Sequence, residues 1–532
     1  MIQLTAVECA DEVTTTDKKI INDSYKMGGF NLPTKKYQKN IVILIYFVLS
    51  FTMLFLLFYN LGNVSAENWD EARHGISAYE MLKNKNFIIN TYNYEPDLWN
   101  LKPPFSFWME SISFSLFGYN LFAFRLPSAI AMFLTFGSIS IFLHKTYGYI
   151  STVSFMLLFQ CFSDMILEHC GRNGDADALF MLFFSLAMIF LYYSKDKFLY
   201  LYLSGFMFSL AFLNKSFHAL TILGIIGLYV IFSGLIKKMR IANYLIMFLS
   251  TFSVIIIWAI IRYCYDGLDF LGAMFGVDVV NRATDTTSNS TGLFYFAKYI
   301  VNYRATQFII FIILICTIYL IATKKVSLMW LKRRDFILLV SCVMVTFIIY
   351  NLSKSVMSWY FYPTFVALII ISSILINKVL LSFTSDFSMG KARKAVVVAT
   401  SSILTVTICT FLAFTVKSYY KSEIFNASIN TVQKSIIELS ENRNKFSNID
   451  AFILKDSNTY KTDLSSWEQA DILIAELYGD WLCQDGGTEA FIKNKNKAVY
   501  LISNAQYSKN KSVLSKYKIV ERNSEYLLLS NM

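Results

Sequence analysis

The chain has 532 residues, of which 55% are hydrophobic, 17% aromatic and only 16% charged, with a formal net charge of +11. With a mean hydropathy of +0.46, this composition excludes a set of ordinary soluble domains and describes a multi-span membrane protein. A basic balance carried by short loops beside apolar runs reports orientation, so nucleic acid is excluded as the partner.

Residues 1–40 are polar and hold Lys18, Lys19, Lys26, Lys35, Lys36 and Lys39 before any apolar run. This pattern is a cytosolic tail and not a cleavable signal, so the run after it should stay as a span. A helix needs about 20 mostly apolar residues to cross the hydrocarbon core, which gives about eleven candidates within a transmembrane region of residues 41–416. They are 41–60, 126–143, 149–166, 177–194, 198–213, 217–236, 242–261, 306–323, 336–351, 359–379 and 395–416. With the tail inside, the inner loops hold Lys145, Lys195 and Lys197, Lys237 to Arg240, Lys324 to Arg334 and Lys378 to Lys394, as the positive-inside rule requires. A plasma (inner) membrane protein is expected, with its polar constellations outside. The eight cysteines are scattered without metal spacing and read as packing residues.

The first outer loop, 61–125, begins a helix at its acidic pair, and Pro103-Pro104 can start a second over Phe105 to Phe117, ending at Gly118. That aromatic segment is too short to cross and is expected to lie in the membrane interface. From Lys417 the composition turns polar. Short β-type runs at Ala451 to Leu454, Ile472 to Ile474, Val499 to Ile502 and Tyr526 to Leu529, with a helical pattern at Gly487 to Lys493, predict an α/β domain over 417–532. An odd number of spans puts it outside. The expected fold class is thus an all-α polytopic membrane protein with interfacial helices and a small C-terminal α/β domain.

Three constellations could carry chemistry. Asp70-Glu71, with Arg73 and His74, follows the first span. A partly desolvated carboxylate there can take a proton from an attacking hydroxyl, or the pair simply favours a helix N-terminus. Asp175 and Asp177 flank Ala176 after Gly174 and could bind a metal or a sugar hydroxyl, or Asp175 caps the next helix. Arg125, Lys215 and Lys354 are lone cations at outer span ends, where lysine is normally scarce, and with Arg73 they suit an anionic ligand such as phosphate. His74, His169 and His218 have no zinc-motif spacing and read as hydrogen-bonding histidines.

The spacing Asp70-Glu71-x-Arg73, Lys102-Pro103-Pro104 with Phe107-Trp108, Phe117-Gly118 and Arg125-Leu126-Pro127-Ser128 resembles the glycosyltransferases of the multi-span C-type fold that use lipid-linked sugars. Aminoarabinose transferases acting on lipid A, and their protein O-mannosyltransferase-like relatives, are the branch it is most similar to. Asp177-Ala178-Leu179, Phe212 to Lys215, Leu352 to Ser355, Trp359-Tyr360 and Tyr362-Pro363 continue the likeness. Ser216-Phe217 stands where relatives often have Gly-Pro, and Ser358 where a proline often precedes the aromatic pair.

The resemblance implies an enzyme that moves a sugar from a polyprenyl-phosphate donor to an extracytoplasmic lipid, cell-surface glycan or protein, with inversion. It implies Asp70 as base or acceptor-orienting carboxylate, Glu71 as its partner and Asp177 as a further catalytic candidate. Arg73, Lys102, Arg125, Lys215 and Lys354 would hold the donor phosphate, and His74, Asp175 and Tyr360 complete the candidates. The polyprenyl-phosphate sugar is a co-substrate rather than a cofactor, and a divalent metal is left open. The competing classes are a transporter, which the lack of internal symmetry disfavours, and a non-catalytic scaffold.

Overall fold

A computed structural model describes residues 35–281, 284, 297–298, 303–323, 334–352, 356–384, 391–440, 450–453, 469–484 and 487–532. Every apolar window expected to span falls on helix. Among the described residues, seven helices are long and apolar enough to cross a membrane: 39–58, 121–147, 198–232, 241–266, 304–322, 334–351 and 358–381. Two expected spans merge in this count, because Phe198–Lys215 and Leu220–Phe232 are joined by a single tight turn at Ser216–Ala219. The expected span 149–166 breaks into Tyr149–Gln160 and Ser163–Leu167.

Helix Asp177–Tyr193 sits centrally, packed on Leu121–Tyr147 and Phe198–Lys215, and is buried on most of its surface. Small polar residues let these helices approach: the Ser204 hydroxyl donates to the Ala187 carbonyl at 2.9 Å, and Gly205 faces Thr251 with no room for a Cβ. Pro127 lies inside helix Leu121–Tyr147 and cannot bond the carbonyl four residues back. That carbonyl, of Ala123, instead accepts from the Ser113 hydroxyl at 2.5 Å, so no buried polar group is left open there.

A second core stands on the first. Helix Asp70–Asn84 packs both on Phe105–Phe117 and on helix Gln469–Gly479, burying Ala72, Ile76, Phe107, Phe114, Phe124 and Leu473 in one cluster. The first loop holds a short ribbon, β1 (Thr91–Tyr92) antiparallel to β2 (Glu95–Pro96), and the C-terminal sheet runs β4 (Leu482–Gln484), β3 (Asp450–Ile453), β5 (Ala498–Ser503), β7 (Tyr526–Ser530), β6 (Lys518–Arg522). β3 is parallel to both β4 and β5, whereas β5–β7 and β7–β6 are antiparallel. Central β5 is buried almost throughout, which its unbroken run Ala498 to Ile502 anticipates.

The expected strand at Ile472 to Ile474 is a helix instead: the three residues lie inside Gln469–Gly479, which is buried on nearly every side. A helix enclosed all round shows the same short apolar run as a strand. The Leu352 to Ser355 motif falls largely outside the described residues, and Lys354 lies wholly outside them.

Candidate active site

Asp70 and Glu71 open helix Asp70–Asn84, with Lys83 in its last turn, so the charges complement the helix dipole. Trp69 before them has φ of 72°, a left-handed backbone that a bulky residue rarely takes. The turn is held from the C-terminal domain: the Trp69 N–H donates to Gln469 Oε1 at 2.9 Å and the Ala470 N–H to Asn68 Oδ1 at 2.9 Å. His169 (φ 54°) and Ser216 (φ 47°) are likewise left-handed, so strained backbone flanks or forms the site at three points. At Ser216 this explains why glycine suits the position, and here the serine hydroxyl donates to Asp278.

Successive helical residues point about 100° apart, and the acidic pair diverges accordingly. Glu71 turns inward. It accepts from Arg125 Nε at 2.6 Å and Nη2 at 2.9 Å, from the Gly174 N–H at 3.0 Å and from the Glu67 N–H at 2.8 Å. It therefore ties the site helix to helix Leu121–Tyr147 and to the loop before Asp175, a structural rather than a catalytic place. Arg125 is corrected with it. Its remaining N–H groups go to the carbonyls of Leu61 (3.2 Å), Val64 (2.8 Å) and Ser65 (2.8 Å), which leaves no donor for a phosphate.

Arg73 is corrected too. It forms a bidentate pair with Asp97 at 2.8 Å on both arms and lies between the rings of Tyr92 and Trp99, 4.3 and 4.6 Å from their centroids. Its Nε and Nη2 are taken up by Asp97, which fixes the first loop. His74 is buried, with Nε2 2.8 Å from the Ser106 hydroxyl and 3.6 Å from Glu110 Oε1. Burial holds His74 well below the usual imidazole range and lifts Glu110 well above the usual carboxyl range, so the two meet as neutral groups and not as an ion pair.

Asp70 is half-buried and turns toward His169 and Asp175; one ligand atom from each lies within 4.8 Å of the others. The His169 ring stacks on Trp359 at 3.6 Å between centroids, with Nδ1 3.8 Å from Asp175 Oδ2. Asp175 Oδ1 accepts from Lys102 Nζ at 2.8 Å and from the Ala176 N–H at 2.6 Å. Burial opposes its charge, but Lys102 and His169 overcome this and hold Asp175 well below the usual carboxyl range. Asp175 Oδ2 and His169 Nδ1 are buried without a hydrogen-bond partner. Two carboxylates and an imidazole this close together suit a divalent cation, which would take the place of any proton on His169.

Two residues on, Asp177 bonds Lys215, whose ammonium also lies 5.1 Å from the Tyr360 ring centroid. Asp177, expected to be catalytic, holds Lys215 through Oδ1, and its Oδ2 is buried without a hydrogen-bond partner. Asn214 fixes the same corner by donating to the Ala176 carbonyl at 2.7 Å. The structure thus gathers Asp70, Lys102, Asp175, Asp177, Lys215 and Tyr360, and sets Arg73, Glu71 and Arg125 apart as supports. Sequence reasoning missed His169 as a site member. Its one signal is its place six residues before Asp175 in the loop after the broken helix pair Tyr149–Gln160 and Ser163–Leu167.

Residues 101–259 match the family described as dolichyl-phosphate-mannose-protein mannosyltransferase. A protein of Aquifex aeolicus described as uncharacterized is 25% identical over 48% of this chain and 59% of its own length. The undecaprenyl phosphate-alpha-4-amino-4-deoxy-L-arabinose arabinosyl transferase of Shewanella sediminis is 29% identical over 33% of this chain and 32% of its own length. The chain therefore spans less than two thirds of both relatives. The crystal structure of ArnT from Cupriavidus metallidurans bound to undecaprenyl phosphate aligns at a TM-score of 0.63 with 14% identity, covering 93% of this chain and 98% of that one. The protein has the C-type glycosyltransferase fold and resembles the aminoarabinose transferases and the protein O-mannosyltransferases.

Proposed function

We propose that the chain is a membrane glycosyltransferase that moves a sugar from a polyprenyl-phosphate carrier to an acceptor outside the cytoplasm, with inversion. One observation carries this reading: a half-buried carboxylate, Asp70, lies beside a corner where two lysines, Lys102 and Lys215, are each held by a buried aspartate. A base next to fixed positive charge is what displacement of a phosphate monoester by a hydroxyl requires.

In the proposed reaction the bond between the sugar C1 and the phosphate oxygen breaks, and its electron pair leaves with the polyprenyl phosphate. The acceptor oxygen bonds C1 from the opposite face, and its proton passes to the Asp70 carboxylate. Lys102 and Lys215 neutralise the charge that grows on the leaving phosphate. They are pre-oriented by Asp175 and Asp177, so little reorganisation is needed when the bond breaks. Tyr360 keeps Lys215 on its corner through the ring contact. Asp70, His169 and Asp175 would hold a divalent cation, which would supply further positive charge to the site. Basic clusters on the opposite loops support an extracytoplasmic site and a plasma-membrane location.

The test is mass spectrometry of lipid co-purified with the protein, joined to a transfer assay in nanodiscs using a labelled polyprenyl-phosphate hexose. Retention of the carrier and release of labelled sugar to an acceptor or to water is the expected result. Uptake of sugar into vesicles with no glycosylated or hydrolysed product would replace the reading with transport.

A further inference from the structure

The first helix, Lys35–Phe58, is packed into the bundle over only part of its length. Its buried residues Met53, Leu56 and Leu57 lie in the half nearer the Asp70 group. There Arg172 Nη1 donates to the carbonyls of Leu56, Leu57 and Tyr59 at 2.8, 3.1 and 2.8 Å, and Asn60 just past the helix donates to those of Ile424 and Ala427 at 3.1 and 2.9 Å. In the other half, none of residues 39–52 is buried. Between that half and helices Leu121–Tyr147 and Tyr149–Gln160 runs a crevice of about 1210 Å³.

Its walls are apolar. Ile41, Ile45, Phe133, Phe136, Ile150 and Met156 line it. The wall hydroxyls of Ser140 and Thr152 turn back on their own helices, donating to the carbonyls of Phe136 at 2.7 Å and Gly148 at 3.0 Å, which leaves little for water to bond. One end differs: Lys39, His144 and Lys145 border it, and no carboxylate lines the crevice anywhere. The Tyr46 hydroxyl and His144 Nδ1 meet there at 2.9 Å, joining the first helix to the wall.

Length and charge together select the occupant. The crevice follows the first helix from Lys39 to Ser50 and the second wall from His144 back to Phe133, about 16 Å at 1.5 Å per residue. That is one leaflet of a ~30 Å hydrocarbon core; a crossing helix from a second copy needs twice the depth. We infer that the crevice is a binding site for one anionic phospholipid of the leaflet opposite the Asp70 group, with its acyl chains on the apolar walls and its phosphate between Lys39 and Lys145. A zwitterionic headgroup would bring its ammonium against these lysines with no carboxylate to receive it, so the site selects net negative charge. The bound lipid fastens the outlying half of the first helix to the bundle. This site is independent of the sugar chemistry at the other face.

The full chain, delipidated in detergent, is titrated with phosphatidylglycerol and with phosphatidylcholine, and bound lipid is counted by native mass spectrometry beside the thermal transition. One phosphatidylglycerol should bind at least tenfold more tightly than phosphatidylcholine and raise the transition. Lys39→Gln combined with Lys145→Gln should remove most of that preference, at about fivefold per lysine. Gly137 lines the crevice with nothing within 4 Å of a Cβ, so Gly137→Trp should fill it and exclude both lipids; the exposed lysine pair serves if this variant does not fold. Equal binding of the two lipids, a preference untouched by the lysine pair, or unchanged occupancy in folded Gly137→Trp overturns the site and leaves an ordinary lipid annulus. Dimers that dissociate in Gly137→Trp, with no lipid retained by the wild type, overturn it in favour of a second copy of the chain.

Discussion

Glu71 and Arg125 close a buried bidentate pair, at 2.6 and 2.9 Å, between residues 54 apart in sequence. Three elements depend on it: the site helix, helix Leu121–Tyr147 and the Gly174 turn. Removing one partner strands the other charge in a place nearly closed to water. Glu71→Gln or Arg125→Ala should destabilise the protein by about 3–5 kcal/mol, read as a lowered thermal transition in nanodiscs. Asp70→Asn, one residue away and half-buried, should leave that transition nearly unchanged.

Gly174 abuts the Phe124 ring so closely that a Cβ there would overlap it. Phe124 is fully buried and cannot retreat. Gly174→Ala should therefore push the 172–176 turn away and cost about 1–3 kcal/mol. Because Asp175 rides on that turn, sugar transfer should fall more than tenfold, whereas Gly137→Ala, within helix Leu121–Tyr147 where nothing lies within 4 Å of a new Cβ, should leave transfer unchanged. Comparing the two rates checks it.

Gln469 reaches from the C-terminal domain to hold Trp69 in its left-handed conformation. Gln469→Ala removes the acceptor for that N–H and should lower the transfer rate severalfold with a stability loss of about 1–3 kcal/mol. Glutamate at this position keeps an acceptor oxygen, and Gln469→Glu should restore most of the rate.

Burial pushes the Glu80 carboxyl up from 4.5 to about 7, although N–H groups of the Tyr94 turn pull it partly back. Between these values the folded protein keeps a proton that the unfolded chain has released. Stability should then fall as pH rises from 4.5 to about 7 and stay level above it. The swing is of order 3 kcal/mol at most. Glu80→Gln should flatten this part of the stability–pH curve, measured by chemical denaturation across the range.

The membrane helices were legible because a bilayer sets a length that an apolar run either meets or misses. β3, β5, β7 and the helix Gly487–Lys493 were legible from short β-rich runs and an amphipathic stretch. Ile472 to Ile474 was not, since a helix buried on all sides loses the period that distinguishes it from a strand. At the site, residue types told where charge gathers but not which charge is spent. Arg73, Arg125, Lys102 and Lys215 look alike in sequence. Their partners Asp97, Glu71, Asp175 and Asp177 lie 24, 54, 73 and 38 residues away, and only folding assigns them. His169 joins Asp70 for the same reason, across a hundred residues with no spacing rule.

The measurement that bears most directly on the central claim is turnover of a labelled polyprenyl-phosphate hexose by wild-type protein and Asp70→Asn in nanodiscs, with thermal transitions recorded alongside. The account predicts that the wild type releases or transfers the sugar and that the folded Asn variant loses at least a hundredfold in rate toward a hydroxyl acceptor. Full activity in the folded Asn variant would contradict it.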